Sequence, residues 1–339
     1  MVDPANRDRT RAPATVKAYF KRGTLLLEMA TRETGIDPLT PIQFAEWFLG
    51  EKDRWSRSTI RTYRASIREC LVYLGISKPA RSKLIDTALD LLAEVVDPET
   101  GRLAAPRAIK TPRRTSADKR KSLTATEFNA VDAALLGLRH RYAFLARPYL
   151  SYTSLLGLRP SEWPTAQIIG TSLVVQNGKN SNGRANGSTR TIELDAYSEG
   201  HIQGLGEFIA ALARATADGD WRRVHAGIRR ALRAACIATG IPGLIRRPVT
   251  PYTCRHVAAA RLKAAKTRTE VAALLGHATD ETAFQHYAPR SAARGWKPVH
   301  TRASEGAKDL IRLRYVSFTD RASLVQNAKR DLPPPTPTP

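Results

Sequence analysis

The stretch SLVVQNGKNSNGRANGSTRTIEL, residues 172–194, decides the fold class, because it is the clearest β-type segment in an otherwise helical sequence. SLVVQ and TRTIEL are short runs rich in β-branched residues, and the segment between them is rich in Gly, Asn and Ser. This pattern is typical of two antiparallel strands joined by a long turn. The sequence therefore predicts a mainly α protein with a small antiparallel β-sheet.

Charge is the second strong signal. The chain has 339 residues, enough for two domains, and a formal net charge of +23 at pH 7. Such a charge repels itself in a compact protein unless an anionic partner relieves it. Nucleic acid is the usual partner, because its phosphates release condensed counterions when Lys and Arg bind them. No apolar run approaches the ~20 residues of a membrane-spanning helix. The composition therefore favours a nucleic-acid partner over a membrane.

The N-terminal residues and the cysteines indicate a compartment. MVDPANRDRTR, residues 1–11, has no apolar core of the kind that a secretion signal requires. Cys70, Cys236 and Cys254 are widely spaced and odd in number, which favours a reducing compartment over a disulfide framework or a Cys zinc cluster. We expect a protein of the bacterial cytoplasm that associates with DNA.

The helical pattern is clearest in STIRTYRASIRECLVYLG, residues 58–75. Its apolar residues recur at spacings of three and four, so they share one face of a helix, and Gly75 is the predicted end. Arg61, Arg64 and Arg68 form a second stripe on another face. The stripe is either a solvated surface or a set of contacts to a DNA backbone, and the charge of the chain favours the contacts.

The residues available for chemistry narrow the reaction class. Metal-dependent nucleases cluster Asp and Glu around Mg²⁺, and the sequence has no convincing cluster of this kind. The segments with most turn signals carry Arg, Lys, His and Tyr instead. Two guanidiniums can clamp phosphate oxygens, a phenol can act as nucleophile, and a Lys can protonate the leaving alkoxide. This inventory suits phosphoryl transfer without a metal.

Four short motifs occur in the order of a known family. They are GLRPSEW at 157–163, YTCRH at 252–256, LLGH at 274–277 and HY at 286–287. Together they resemble the boxes of the tyrosine recombinases, the phage-integrase family. The resemblance implies a two-domain architecture, with a helical core-binding domain before a mixed α/β catalytic domain. It also implies strand cleavage through a covalent 3′-phosphotyrosine, release of a 5′-hydroxyl, and rejoining without a metal or a high-energy cofactor.

The resemblance assigns a role to each matching residue. Arg159 and Arg255 become two phosphate clamps, and His277 becomes a hydrogen-bond partner of the scissile phosphate. Tyr287 becomes the nucleophile. Lys179, in the turn of the predicted hairpin, becomes the general acid, although a lysine in such a turn is usually just solvated.

Two departures from the family pattern concern the site. Tyr252 stands where the family more often has histidine, and a phenol can donate a hydrogen bond to a phosphate but cannot shuttle protons near pH 7. The nucleophile lies ten residues after His277, where nine is usual, which puts His286 at the usual position. We expect an extra residue in the turn ATDET to restore the geometry. Tyr287 is therefore preferred to His286 and to the remote alternative Tyr315.

Neighbouring residues are alternatives or supports. Arg184 and Arg190 flank the same loop as Lys179 and are the alternatives to it. Glu162 is expected to orient Arg159 or to cap the following helix rather than to take part in the chemistry.

The composition and the resemblance together predict four segments. Residues 1–105 form a helical DNA-binding domain, and residues 106–121 form a linker with seven Lys or Arg against one Asp. Residues 122–300 form the catalytic domain. Residues 301–339 form a C-terminal tail that could dock on a neighbouring protomer, with a disordered end. The residues expected to contact DNA are Arg61, Arg64, Arg68, Lys110, Arg113 and Arg114.

The leading prediction is a site-specific recombinase that integrates or excises a mobile element. It would act on double-stranded DNA as a homo-tetramer joining two sites, with a monomer in solution and accessory DNA-bending or directionality factors left open. One alternative is a DNA-binding architectural or regulatory protein whose catalytic site has degenerated. Another is a type IB topoisomerase, which shares the chemistry but relaxes supercoils.

Overall fold

The structure is a computed structural model. The residues that the structure describes are 13–77, 79–93, 119–180 and 185–313. The chain divides into two compact units, Met1–Arg113 and Arg114–Pro339. It is mainly helical with one small antiparallel sheet, which confirms the predicted fold class. Lys110, Arg113 and Arg114 lie outside the described residues, as does the end of the predicted tail.

Four helices build the described part of the N-terminal unit. They are α1 (Pro13–Thr34), α2 (Pro41–Gly50), α3 (Arg57–Ser77) and α4 (Ser82–Ala93). Helix α2 begins with a capping box in which Thr40 and Gln43 bond each other's backbone N–H groups. Aromatic rings fill part of the core, where the ring centroid of Trp55 lies 5.6 Å from Phe48 and 5.1 Å from Tyr63. This unit therefore has a hydrophobic core of its own.

Helix α3 carries the apolar face that the sequence predicted, with Ile60 and Ile67 buried in the core. Its predicted end is wrong, because the helix continues past Gly75 to Ser77. A side chain at position 75 would place a Cβ atom 3.3 Å from Cδ1 of Ile85 in α4. Gly75 therefore serves the packing of two helices and does not end one.

Helices and a small sheet build the C-terminal unit. The first helices are α5 (Ala125–Gly137), α6 (Ala143–Leu156), α7 (Glu199–Ala215), α8 (Trp221–Ala238) and α9 (Pro242–Arg246). The later helices are α10 (Pro251–Ala265), α11 (Arg268–Leu275), α12 (Thr282–His286) and α13 (Glu305–Asp309). The strands are β1 (Gln167–Ile169), β2 (Ser172–Gln176), β3 (Thr189–Glu193) and β4 (Arg302–Ala303). Across the described residues, no helix has the length and apolar character needed to span a bilayer.

The sheet contains the predicted hairpin. Its strands are antiparallel in the order β1-β2-β3-β4, and β2 pairs with β3 so that Leu173 lies opposite Ile192. Strand β4 comes from the segment predicted as a tail, and Ala303 pairs with Ile192 on the far side of β3. Ala307 and Ile311, which follow β4, are also buried. Residues 301–313 thus pack on their own chain, and docking of the tail on a neighbouring protomer stays a prediction.

Two glycines allow α6, α11 and the hairpin to approach one another closely. Gly157 ends α6 with a left-handed φ of 71°, and a Cβ atom there would lie 2.7 Å from Cδ2 of Leu275 in α11. Gly276 ends α11 with a φ of 65°, and a Cβ atom there would lie 2.5 Å from Oδ1 of Asn177. Because only glycine adopts this conformation without strain, both positions favour it. The close approach brings the end of α6, the end of α11 and the hairpin turn to one place.

Candidate active site

The hydroxyl of Tyr287 lies against the guanidinium of Arg255. Arg255 Nε donates a hydrogen bond to Tyr287 Oη at 2.8 Å, and Arg255 Cζ lies 5.1 Å from the centroid of the tyrosine ring. Arg255 is fully buried on α10, most of whose residues are buried. Tyr287 is half-buried directly after α12. The contact fixes the phenolic oxygen beside a buried cation.

His277 completes this corner of the site. It directly follows the left-handed end of α11, and its Nε2 lies 3.2 Å from Nη2 of Arg255. Its ring centroid lies 5.5 Å from that of Tyr287. Burial, and then the charges of Arg255 and Arg159, hold the pKa of His277 well below its ordinary value, so the ring is neutral near pH 7. Because Nε2 faces a donor, the ring proton is assigned to Nδ1, which has no hydrogen-bond partner among the described residues.

Glu162 holds the second guanidinium, that of Arg159. Arg159 lies beyond the end of α6 and precedes a 3₁₀ turn, Pro160–Thr165. Glu162 accepts hydrogen bonds from the backbone N of Arg159 at 2.7 Å and from its Nη1 at 2.6 Å. Nη2 of Arg159 donates to the carbonyl of Gly276 at 3.2 Å. Glu162 therefore both caps the turn and orients Arg159, which are the two options that the sequence left open.

Arg190 supports this group from the hairpin. Its Nη2 donates to Glu162 at 2.8 Å and its Nε donates to the carbonyl of Leu274 at 3.0 Å. Its remaining nitrogen donates to Asn177. All three nitrogens thus have protein acceptors, so Arg190 supports Glu162 and the end of α11, and its role as an alternative to Lys179 stays a prediction. Arg184, the other alternative, lies outside the described residues.

The carboxylate of Glu162 is the negative centre of the site. Burial raises its pKa, but the charges of Arg190, Arg255 and Arg159 outweigh this effect and hold the pKa well below the usual range. Glu162 also accepts a hydrogen bond from the backbone N of Gly178 at 3.1 Å. Because Gly178 precedes Lys179, one buried carboxylate connects the arginines to the hairpin turn. The sequence did not predict this centre.

An open pocket beside Arg159 holds the other two predicted residues. Its volume is about 380 Å³, and Lys179 and Tyr252 both line it. Lys179 is exposed in the hairpin turn, and Tyr252 is 44% exposed. Burial, and then Tyr287, raise the pKa of Tyr252, so its phenol stays protonated and can donate a hydrogen bond. Arg222 and Arg229 of α8 also line this pocket. The sequence did not single them out, although the paired arginines of WRRVHAGIRR are a basic signal that could have done so.

The turn after His277 decides which residue reaches Arg255. The backbone N of Arg312 donates to the carbonyl of Ala278 at 3.0 Å, so the C-terminal segment holds this turn. His286 is exposed at the end of α12, whereas Tyr287 packs on the ring of His277. The ten-residue spacing therefore brings the tyrosine to the site. Tyr315 lies outside the described residues.

The arginine stripe of α3 lies in the N-terminal unit. Arg61 is exposed, and Arg64 and Arg68 are partly buried. Burial, and then the charge of Arg68, lower the pKa of Arg64 from its ordinary value. Contact of this stripe with DNA stays a prediction.

Comparison with known proteins finds a likeness of fold. No protein-family model and no curated protein matches the sequence. Among solved structures, the chain is similar to a lambda integrase tetramer bound to a Holliday junction, with a TM-score of 0.46 and 17% identity over 87% of this chain and 77% of that chain. It is similar to XerH site-specific recombinase bound to difH substrate in a pre-cleavage complex, with a TM-score of 0.42 and 14% identity over 80% and 76% of the two chains.

Proposed function

We propose that this protein cuts and rejoins DNA strands as a site-specific recombinase. The observation that carries the proposal is the 2.8 Å hydrogen bond from Arg255 to the hydroxyl of Tyr287. A second buried guanidinium, that of Arg159, and the neutral ring of His277 belong to the same group. Metal-independent phosphoryl transfer requires a nucleophile, positive charge for the phosphate oxygens and a hydrogen-bond donor. The group contains all three.

In the proposed reaction, Tyr287 Oη attacks the scissile phosphorus and the bond from phosphorus to the 5′ oxygen breaks. The 3′ end stays on the tyrosine as a phosphotyrosine ester. The 5′ oxygen takes a proton from Lys179 and leaves as a hydroxyl, and the phenolic proton passes to water. Attack of a 5′-hydroxyl on the ester reverses these steps and rejoins a strand.

The proposed partner is double-stranded DNA, bound by four copies of the chain at two sites during integration or excision of a mobile element. The net charge of +23 supports an anionic partner of this size. Arg222 and Arg229, beside the pocket that contains Lys179, would neutralise phosphates next to the cleaved one. The stripe of Arg61, Arg64 and Arg68 would contact the DNA backbone from the N-terminal unit.

The test is covalent trapping on a DNA duplex that is first selected from random sequences by binding to the protein. A nick beside the cleavage site makes the fragment with the new 5′-hydroxyl short enough to diffuse away. The reverse reaction then has no attacking strand, so the adduct accumulates. We expect an adduct whose DNA-linked peptide contains Tyr287. Tyr287→Phe should abolish it, and the control His286→Ala should retain it. Loss of the adduct in both variants, or in neither, would contradict the assignment.

A second candidate function is DNA binding without cleavage. It is favoured by the fact that all three nitrogens of Arg255 bond protein atoms, with Nη2 donating to the carbonyl of Leu275 at 2.8 Å and Nη1 donating to the carbonyl of Gly157. A phosphate would then have to displace the hydroxyl of Tyr287 from Nε. Salt-sensitive DNA binding with no adduct would support this candidate, and relaxation of plasmids without recombination would support a topoisomerase.

A further inference from the structure

A buried lysine outside the group described above holds the backbone at the nucleophile. Lys263 Nζ donates hydrogen bonds to the carbonyl of Ala288 at 2.9 Å and to the carbonyl of Tyr287 at 3.4 Å. Its side chain is 6% exposed, and no carboxylate pairs with it among the described residues. The ring of Phe284 lies 4.9 Å from its nitrogen. The ammonium is therefore satisfied by the segment that carries Tyr287.

A histidine on the same helix makes a second contact to this segment. His256 Nδ1 accepts a hydrogen bond from the backbone N of Ala288 at 3.2 Å. Burial above all lowers the pKa of His256 to about 4, so the ring is neutral and can accept. His256 and Lys263 are seven residues apart on α10, which is close to two full turns, so they share a face. One face of α10 therefore makes hydrogen bonds to both the backbone N–H and the carbonyl of Ala288.

The tyrosine segment has little structure of its own to hold it. Helix α12 has five residues, and a helix of this length is not stable by itself. Tyr287 follows it in an extended conformation, with φ −114° and ψ 167°. The carbonyls of Tyr287 and Ala288 come after the end of α12, and Lys263 donates hydrogen bonds to both. The contacts from α10 decide where the phenolic oxygen lies relative to Arg255.

Packing alone does not require a cation at position 263. An apolar side chain of similar length would fill the same space without the cost of burying a charge. Burial of the charged ammonium, and then the charge of Arg268, lower the pKa of Lys263 to about 8, which reflects this cost. What an apolar residue would lack is the hydrogen bonds to the two carbonyls.

We infer that Lys263 is a positioning residue that holds the nucleophile Tyr287 beside Arg255 of the same subunit, through the carbonyl oxygens of Tyr287 and Ala288. The inference rests on the proposed function for the role of the tyrosine. The hydrogen bonds to the carbonyls do not depend on it.

The experiment uses the full chain with Lys263→Met, which keeps length and removes the donor, and Lys263→Arg, which keeps a charged donor. Lys266→Met is the matched control, because Lys266 ends the same helix but pairs with Glu270 at 3.3 Å. Adduct formation on the nicked DNA, DNA affinity, and hydrogen–deuterium exchange of residues 282–288 without DNA are measured for each. We expect Lys263→Met to slow adduct formation by up to about 10²-fold, the effect of misplacing a reacting group by ~1 Å.

DNA affinity should stay unchanged in Lys263→Met, exchange at 282–288 should become faster, and Lys263→Arg should recover much of the rate. The control should match the wild type in all three measurements. Unchanged exchange in a folded Lys263→Met variant would overturn the inference, whatever its cleavage rate. Should that variant not fold, Lys263→Gln is measured in its place with the same expectation. If the wild type forms no adduct, the proposed function fails. The exchange data still test whether Lys263 fixes residues 282–288.

Discussion

Glu162 and Arg190 form an ion pair in which neither side chain is exposed, with 2.8 Å between the carboxylate and Nη2. The same carboxylate bonds Arg159, and its Oε2 lies 3.9 Å from Nη1 of Arg255. One negative charge thus compensates three buried guanidiniums. Breaking such a group by removing its single anion leaves uncompensated charge in the protein interior, which is strongly unfavourable.

We therefore expect Glu162→Gln to lower the free energy of unfolding by about 3–5 kcal/mol, the usual effect of removing one partner of a buried ion pair. Urea denaturation measures it. The control is Glu305→Gln, because Glu305 is 84% exposed in its pair with Lys308 and pairs of that kind contribute about 0–1 kcal/mol. Equal losses in the two variants would contradict the central role of Glu162.

The buried histidines predict the pH dependence of stability. Burial above all lowers the pKa of His256 from 6.5 to about 4 and that of His277 well below 6.5. Both histidines therefore bind fewer protons in the folded than in the unfolded chain. The free energy of unfolding should be highest above about pH 6.5 and should decrease as the pH falls below that value. Denaturation at a series of pH values should show this loss, and His256→Asn should make it smaller. A loss of equal size in the variant would show that His256 does not contribute.

Alanine substitutions at Gly157 and Gly137 should have different effects on the stability of the protein. Gly157→Ala should destabilise the protein by about 1–3 kcal/mol, because the residue has a left-handed φ of 71° and the new Cβ would lie 2.7 Å from Leu275. Gly137→Ala, at the end of α5 with no atom within 4 Å of its Cβ position, should be neutral or stabilising. Thermal denaturation compares them. A stable Gly157→Ala variant would mean that α6 and α11 can separate without cost.

Two truncations should test the packing of residues 301–313 on the C-terminal unit. Removing residues 301–339 deletes β4 and the buried side chains of Ala303, Ala307 and Ile311, so the remaining chain should lose cooperative unfolding. Removing residues 314–339 leaves these contacts in place, so this variant is the control for the longer deletion. Only the shorter deletion is therefore a clean test of docking on a neighbouring protomer. Cooperative unfolding of the longer deletion would contradict the packing of β4.

Several features of this protein could be predicted from local sequence. The hairpin follows from the alternation of β-branched runs and turn residues, and the end of α11 follows from Gly276. The four motifs and their order indicate which residues are candidates for chemistry. Each of these signals extends over a few residues along the chain. Short-range preferences of the backbone determine the hairpin and the helix end, whereas the motifs indicate candidates through their resemblance to a family.

Other features were decided only by the tertiary structure. Glu162 meets Arg190 across 28 positions and Lys263 meets Ala288 across 25, and no local spacing indicates either pair. Whether Tyr287 or His286 would reach Arg255 depended on a turn that the C-terminal segment holds through Arg312. Burial and charge compensation set these contacts, and both depend on how α6, α10 and α11 pack around Gly157. Such packing is a property of the whole fold, so no single stretch of sequence could reveal it.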